Sequence, residues 1–510
     1  MSTTETRIVH DKTFEVIQSA VNKMVNFIRP TFGPASNKVL ISKTTHRMVV
    51  DDGVQIARDY ELEGPEENAV VNIIRETAVK TNDRVGDGTT SSLIMLQAII
   101  NEVARRGRRD GRKIEKELLK GLEEVRIHLK KSAYEIKSKD ELKKVARISF
   151  DNEKIAEMVS DLYWKLGKDG VITIDKSPTM ETTCEVSEGI KIDRGYISPY
   201  MVINPERMET VLEKPKILIT DYRLTEANDI IPIMNKMAAA NQRELVIICE
   251  SMEQSALATA VLNKIQGKFL VVAVPAPTTE DRKITLEDIA LMTGAKMFTE
   301  SKGDKLETVD LADLGHATRF ICRREESVIV GPKGKKSEVA TAITSLRVNF
   351  ESEKDTKRKE SLRRRLSLFT QAVAVIKVGA PTENEQKALK YKVEDCVNSV
   401  RSAYQHGIVC GAGLALSRIK TSSPILNEAL KYPARQLREN MGLEDEESLN
   451  IDHAYNVVTQ KTGPYLEVGV VDPVDVLLAG VESAVSIASV LVTTSGMIVE
   501  HIQKLPVVQN

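Results

Sequence analysis

The sequence is poor in residues on which many binding and redox proteins depend. Aromatic residues make up only 4% of the 510 residues, with one tryptophan, which argues against a base-stacking platform for nucleic acid. The five cysteines are odd in number and form no CxxC pair, so reduced thiols are expected. The seven histidines are scattered without metal-ligand spacing, which argues against a structural zinc site.

Net charge and long apolar runs are also lacking. The formal net charge of -1 implies no overall attraction to nucleic acid or to a membrane surface. No apolar run approaches the length of a membrane span, and residues 1–5 show neither a signal core nor a basic, serine-rich leader. We therefore expect no nucleic-acid partner, no membrane partner and a cytoplasmic location.

Two charged runs stand out against this balanced composition: a strongly basic one at residues 105–109 and a mixed one at residues 354–365 that ends in three arginines. In the second run, Leu362, Leu366 and Phe369 keep helical spacing. This spacing predicts the solvated face of an amphipathic helix in preference to a nucleic-acid surface.

The order of predicted elements indicates one domain inserted into another. Residues 12–135 are mostly helical in pattern, with a short strand pair near 38–41 and 47–50. Short apolar runs at 217–220, 245–249 and 269–274 alternate with helical patterns, which predicts a parallel α/β sheet. Helices return after about residue 383, and Gly189 and Gly379 lie at the two expected crossings.

The segment 86–91, with the sequence GDGTTS, carries the strongest chemical signal. Its hydroxyl residues open a predicted helix, whose N-terminus offers unpaired N–H groups to an anion. Asp87 would repel a bare phosphate, so a cation such as Mg²⁺ is expected between them. Two hypotheses remain open here: a nucleotide-phosphate site, or a turn in which Thr89 or Thr90 is the helix N-cap.

Several further motifs occur with this segment in a fixed order along the chain. From about residue 12 to 497 the sequence resembles the group I chaperonins, the GroEL-like proteins of bacteria and organelles, as a divergent member. The matching motifs are Thr31-Phe32-Gly33-Pro34, Asp52-Gly53, the 86–91 segment, Ile148-Ser149, Val393-Glu394-Asp395, the 407–413 stretch, Val470-Val471-Asp472-Pro473, and residues 193–200, 256–259 and 373–379.

This resemblance implies a multidomain α+β and α/β architecture with the chaperonin fold. A mostly helical equatorial domain would comprise residues 1–131 and 407–510, and a small intermediate domain residues 132–188 and 380–406. Residues 189–379 would form the inserted apical α/β domain. The resemblance also implies homo-oligomeric seven-membered rings, two of which are usually stacked, a GroES-like co-chaperonin lid, and a bacterial or viral host cytoplasm.

The resemblance further implies an ATPase that folds non-native polypeptides, with ATP and Mg²⁺ as cofactors and K⁺ as an additional candidate. Asp87 would hold Mg²⁺, and Asp395 and Asp52 would be the catalytic carboxylates, with Asp395 positioning the attacking water. The remaining nucleotide contacts would come from Thr31, Phe32, Gly33, Pro34, Gly53, Gly88, Thr89, Thr90, Ser91, Ile148, Ser149, Gly411, Gly413, Asn456, Val457, Val470 and Asp472.

A second site, for unfolded polypeptides, is implied in the middle of the chain. Apolar stripes at helical spacing are ordinarily core, whereas in this family the matching faces form an exposed apolar patch at the ring mouth. The residues that would line this patch are Tyr196, Tyr200, Met201, Ile231, Met234, Leu257, Val261, Leu262 and Asn263.

Three departures from the family pattern concern the nucleotide site. Asp51 and Ala35 stand where the family usually has lysine, which removes positive charge near the expected phosphates. Ala412 replaces a glycine and is expected to cramp its loop. A ring-forming holdase with weak or absent ATP turnover is therefore the alternative to an ATP-driven folding chamber.

Overall fold

The computed structural model describes residues 3–34, 36–43, 47–50, 53–85, 88–107, 110–168, 170–205, 207–277, 281–353, 355–443 and 452–503. The chain forms two compact units. The first comprises residues 1–168, 176–182 and 378–510, and the second comprises residues 169–175 and 183–377. The finer division into three domains stays a prediction.

The first segment of the first unit is mainly helical. Its elements are β1 (Thr3–Val9), α1 (Thr13–Ile28), β2 (Val39–Ser42), β3 (Arg47–Val50), α2 (Gly53–Asp59), α3 (Pro65–Val85), α4 (Thr89–Arg106), α5 (Gly111–Ser132), α6 (Lys139–Ser149) and α7 (Glu153–Leu166). The predicted strand pair is confirmed, because β2 and β3 pair antiparallel with Leu40 opposite Val49.

The second unit combines a large sheet with helices. Its elements are β4 (Val171–Lys176), β5 (Thr183–Ile192), β6 (Thr210–Glu213), β7 (Lys216–Thr220), β8 (Arg223–Leu224), α8 (Ile231–Ala239), β9 (Glu244–Cys249), β10 (Ser251–Met252), α9 (Gln254–Ile265), β11 (Leu270–Pro275), α10 (Arg282–Thr293), β12 (Met297–Phe298), β13 (Gly315–Cys322), β14 (Ser327–Pro332), α11 (Lys336–Ser352), α12 (Thr356–Thr370) and β15 (Ala372–Val378).

The sheet of the second unit has ten strands. Eight run in the order β11-β9-β7-β13-β14-β5-β15-β4, while β12 pairs with β7 and β6 pairs with β13. The predicted parallel strands are confirmed, since β11, β9 and β7 pair in parallel. The neighbouring strands β13, β14, β5 and β15 pair antiparallel. This antiparallel part was not predicted as a whole, because β5 contains polar residues instead of a continuous apolar run.

Helix α12 contains most of the longer, mixed charged run. Phe369 is buried, and Leu362 and Leu366 pack against the core of the second unit. Arg365 pairs with the buried carboxylate of Asp288, its Nε lying 2.7 Å from Oδ2. The predicted amphipathic helix is thus confirmed: Arg363 and Arg364 are exposed, whereas Arg365 reaches a buried partner.

The chain then returns to the first unit. The elements are α13 (Glu383–His406), β16 (Ile408–Cys410), α14 (Leu414–Ser417), α15 (Pro424–Ala429), α16 (Tyr432–Asn440), β17 (His453–Asn456), β18 (Lys461–Pro464), α17 (Tyr465–Val468), β19 (Val471–Pro473), α18 (Val474–Thr493) and β20 (Met497–Gln503). Strand β20 pairs antiparallel with β1, so the first and last described strands of the chain lie side by side.

Helix α18 is the central core helix of the first unit and packs against α3, α4 and α5. In the described part of the chain it is one helix that is long and apolar enough to cross a membrane. The expectation that no run approaches such a length is therefore wrong for residues 474–493. Since 78% of its most apolar window is buried inside the protein, its apolarity is that of a core helix.

Candidate functional site

Helix α4 begins at Thr89 and has a glycine at its N-cap. Gly88 has a φ of +82°, in the left-handed region that glycine adopts without steric penalty. Among the described residues no side chain caps this helix start. The hypothesis that Thr89 or Thr90 is the N-cap is therefore wrong, because both residues already lie inside the helix.

The hydroxyl of Thr89 is buried at this helix start. The residue is 4% exposed, and its Oγ1 has no hydrogen-bond partner within the described part of the chain. A buried hydroxyl left unpaired is unfavourable by about 1–3 kcal/mol. The first N–H groups of a helix also lack partners inside the helix. The start of α4 thus presents several hydrogen-bond donors together, which is the arrangement that binds an anion.

Two glycines allow neighbouring segments to approach the start of α4 closely. A Cβ atom added to Gly53 would lie 2.2 Å from Oγ1 of Thr90. One added to Gly88 would lie 3.0 Å from Cγ1 of Val476, in the first turn of α18. Because α18 follows Asp472 closely in the chain, the structure brings together three motif regions that are distant in sequence.

The loop at Gly411 lies beside the segment that contains Asp472. Strands β16 and β19 pair antiparallel, with Val409 opposite Asp472. The backbone N–H of Gly411 donates to the carbonyl oxygen of Val470 at 2.9 Å. A Cβ atom on Gly411 would lie 2.9 Å from the backbone of Val471. The predicted juxtaposition of these two motifs is present, and the side chain of Asp472 is half-buried.

Helix α16 contacts two of the predicted nucleotide loops. A Cβ atom on Gly33 would lie 2.3 Å from Cδ2 of Leu437, and one on Gly413 would lie 2.7 Å from the backbone nitrogen of Ala434. This helix was not predicted as part of the site. The three-residue spacing of Ala434 and Leu437 could have indicated a packed face, although not what that face contacts.

Asp395 lies half-buried in the middle of α13, which packs against α6. Its neighbour Cys396 has Sγ 3.5 Å from the carbonyl oxygen of Ala146. Burial, with a further contribution from the negative charge of Asp395, raises the pKa of the Cys396 thiol to about 12. The last turn of α6 contains Ile148, which is exposed, and Ser149, which is half-buried. The packing of these helices brings two further predicted motifs to one part of the first unit.

The side chain of Asn456 already makes hydrogen bonds to the turn that follows it and to the end of α17. Its Oδ1 accepts hydrogen bonds from the backbone of Val458 and Thr459, both at 3.0 Å, and its Nδ2 donates to Val468 at 2.7 Å. Val457 beside it is half-buried. The predicted contact of Asn456 with adenosine would therefore compete with these bonds or act through the backbone that they hold.

Several predicted residues lie outside the described residues. These are Asp52 and Asp87, together with the departures Asp51 and Ala35. Their roles stay predictions. Among the described residues, no three or more His, Cys, Asp and Glu side chains form a group suited to hold a metal. Ala412 is described and has a φ of +57°, so the expected cramping of its loop is confirmed.

The predicted polypeptide-binding residues in the second unit divide by exposure. Tyr200 and Leu262 are 72% and 54% exposed. Met201 and Met234 are 1% and 6% exposed, and Tyr196 is 8% exposed. The expectation of an exposed face is wrong for these last three side chains, because they fill the core that covers the sheet. An amphipathic pattern alone does not distinguish such a core face from a binding face.

The other four predicted residues are half-buried: Ile231, Leu257, Val261 and Asn263. Two exposed apolar residues near these segments were not predicted, Ile265 at 71% and Ile203 at 40%. Lys264 connects their two segments, since its Nζ donates to the carbonyl oxygen of Tyr200 at 2.8 Å. We call the exposed apolar residues of these two segments the α9 patch: Tyr200 and Ile203 on one segment, and Leu262 and Ile265 on α9.

Comparison with known proteins gives the class of this fold. The model of the TCP-1/cpn60 chaperonin family matches residues 24–501, and the chain belongs to this family. It is similar to the solved chaperonin gp146 from the bacteriophage EL 2 (Pseudomonas aeruginosa), determined in the presence of ATP-BeFx. Crystal form II has 21% identity over 96% of this chain and 98% of that chain, with a TM-score of 0.69. Crystal form I has 21% identity over 96% and 99%, with a TM-score of 0.62.

These matches confirm the chaperonin fold, which was predicted from the motifs. They are consistent with a divergent, group I-like chaperonin. Family membership also supports a chaperone role.

Proposed function

We propose that this chain is an ATP-dependent chaperonin that captures non-native polypeptides and encloses them in a ring chamber. The observation that carries the ATP dependence is the buried hydroxyl of Thr89 at the start of α4, which has no hydrogen-bond partner among the described residues. Together with the unpaired N–H groups of the first turn, it provides donors that a phosphate group would satisfy.

The residues around this helix start suit a nucleotide. Thr89, Thr90 and Ser91 would bind phosphate oxygens, and the left-handed Gly88 lets the first turn of α18 pack closely beside them. The half-buried carboxylate of Asp472, beside the Gly411 loop, is suited to accept hydrogen bonds from ribose hydroxyls. We also propose that Asp87 binds Mg²⁺ and that K⁺ is an additional cofactor.

Asp395 is the proposed group that orients the attacking water. Bound ATP would supply the transferable phosphoryl group, and Mg²⁺ would neutralise its charge. Phosphoryl transfer depends mainly on positioning and charge stabilisation, so one well-placed carboxylate suffices to align water. The neutral Cys396 thiol adds no charge beside Asp395. The position of α13, which packs on α6, would therefore control turnover.

The α9 patch is the proposed site for polypeptide capture. Tyr200, Leu262 and Ile265 are all more than half exposed, although apolar side chains of this size are usually buried. Non-native chains expose apolar segments that would bind such a patch. We further propose stacked seven-membered rings, a GroES-like lid and a cytoplasmic location, on the basis of the family resemblance.

The central test compares ATP turnover by the purified wild type and Asp395→Ala at saturating ATP and Mg²⁺. We expect the variant to lose most turnover while still binding nucleotide, because it retains the start of α4. A wild type that binds client but hydrolyses ATP no faster than Asp395→Ala would establish the holdase alternative. Electron micrographs with and without ATP would test the ring, and a monomer at micromolar concentration would contradict it.

A further inference from the structure

Helix α16 ends at Asn440, whose side-chain amide reaches the turn that follows α1. Its Nδ2 donates to the carbonyl oxygens of Arg29 and Phe32, at 2.9 and 2.8 Å. Its Oδ1 accepts from Nε2 of Gln436, one helical turn earlier, at 2.8 Å. Gln436 is only 6% exposed, so this bond holds the Asn440 amide in one orientation.

The turn that Asn440 holds is the predicted nucleotide loop Thr31–Pro34. Within the turn, Phe32 N–H donates to the Arg29 carbonyl at 3.1 Å. Gly33 has a φ of +95° and packs directly on Leu437 of α16. Asn440 and Leu437 therefore hold the loop at two points, one by hydrogen bonds and the other by packing.

The other end of the same helix contacts the second predicted nucleotide loop. Ala434 packs on Gly413 and lies six positions before Asn440 on the helix. At a rise of about 1.5 Å per residue, the helix spaces the two contacts by roughly 9 Å along its axis. Since an α-helix is stiff over this length, α16 fixes the distance between the loops.

We propose that Asn440 is a positioning residue for the nucleotide. By binding the Arg29 and Phe32 carbonyls, it sets the place of the Thr31–Pro34 loop relative to the Gly411–Gly413 loop. A nucleotide that contacts both loops then binds to a surface already formed and loses little free energy in ordering it. This inference rests on the proposed function, because it takes both loops to be nucleotide contacts.

The test is the affinity for ATP and Mg²⁺, measured by calorimetry in an Asp395→Ala background so that nucleotide is not consumed. With Asn440→Ala we expect the dissociation constant to rise about tenfold, because two hydrogen bonds to the loop are lost. In the otherwise wild-type chain, KM should rise while kcat at saturating ATP changes by less than about twofold. Without nucleotide, amide hydrogen exchange should accelerate at Phe32, Ser36 and Asn37.

Asn427 provides a matched control in the same unit. Its amide makes three hydrogen bonds to Thr421, at 2.7 to 2.9 Å, and contacts neither loop through them. Asn427→Ala should lower the urea midpoint as Asn440→Ala does, yet leave ATP affinity unchanged. If Asn440→Ala does not fold, Gln436→Leu serves instead, with an expected rise of about threefold in the dissociation constant.

The outcomes separate the two proposals. A parent chain that binds no ATP would overturn the proposed function itself. If the parent binds ATP, unchanged affinity in the folded Asn440→Ala variant would overturn the positioning role, as would an equal loss of affinity in Asn427→Ala. Loss of affinity confined to Asn440→Ala, together with faster exchange in the loop, would support it.

Discussion

Replacing Thr89 by valine should stabilise the free protein and weaken its response to nucleotide. Valine has the shape of threonine and the same branching at Cβ, so the packing of α4 is retained. The exchange removes a hydroxyl that is 4% exposed and has no partner among the described residues. Because leaving such a group unpaired is unfavourable by about 1–3 kcal/mol, we expect Thr89→Val to raise the free energy of unfolding by about 1 kcal/mol.

With nucleotide bound, the wild type should become more stable to unfolding than Thr89→Val. A ligand at about 100 times its dissociation constant stabilises the folded state by about 2.7 kcal/mol. If loss of the hydroxyl weakens binding tenfold, the same concentration stabilises the variant by only about 1.4 kcal/mol. Thr89→Val should therefore raise the free energy of unfolding of the free protein and lower that of the nucleotide complex. A general effect on folding would change both in the same direction.

The assay is urea unfolding with and without ATP and Mg²⁺, followed by the fluorescence of Trp164. This is the only tryptophan in the sequence, and it lies in the first unit, stacked on Tyr404. Ser483→Ala is the control, because it removes another buried hydroxyl without a partner in the described structure, on α18. Ser483→Ala should change the free energy of unfolding without changing how much ATP and Mg²⁺ stabilise the protein. Destabilisation of free Thr89→Val by 1 kcal/mol or more would refute the unpaired state of the hydroxyl.

Two other predictions concern different parts of the chain. Leu262→Ser should reduce capture of a denatured client several-fold and spare ATP turnover, because the side chain is 54% exposed. Met201→Ser is the control, since it changes a core side chain and should lower stability instead. If both variants fold and capture client as well as the wild type does, the α9 patch is not the capture site. Hydrogen bonds from Arg105 and Arg106 hold the pKa of Glu102 at about 2, below its ordinary value of 4.5, so its stabilisation is present above pH 4.5 and is lost as the pH falls toward 2. Glu102→Gln should therefore flatten the decline in the urea midpoint over this range, and an unchanged slope would argue against the ion pairs.

The sequence predicted the parts of the fold that follow from local patterns. The continuous apolar runs of β7, β9 and β11 identified a parallel sheet, and the spacing around Leu366 identified an amphipathic helix. The antiparallel strands were not predicted because polar residues interrupt the apolar pattern in β5. The buried methionines of the second unit were misassigned because a core face and a binding face have the same periodicity.

The candidate site was predicted where its residues belong to recognisable motifs. The loops at Gly33, Gly88 and Gly411 were all identified in this way. The role of Asn440 was not predicted, because its partner Phe32 lies 408 residues away and nothing in the local sequence of α16 indicates that contact. The glycine N-cap of α4 was also not predicted, since hydroxyl residues are the commoner caps and they follow Gly88 directly in the sequence.

The pairing of β1 with β20 has a consequence for how the molecule is made. Thr3 lies opposite Gln503, so the first strand has no partner until almost the whole chain has left the ribosome. At about 5–20 residues per second, that delay is on the order of 25–100 s. The sheet-containing unit is nearly contiguous and emerges complete well before then. During biosynthesis the helical unit must therefore keep the apolar faces of its early helices from aggregating until its last helix emerges.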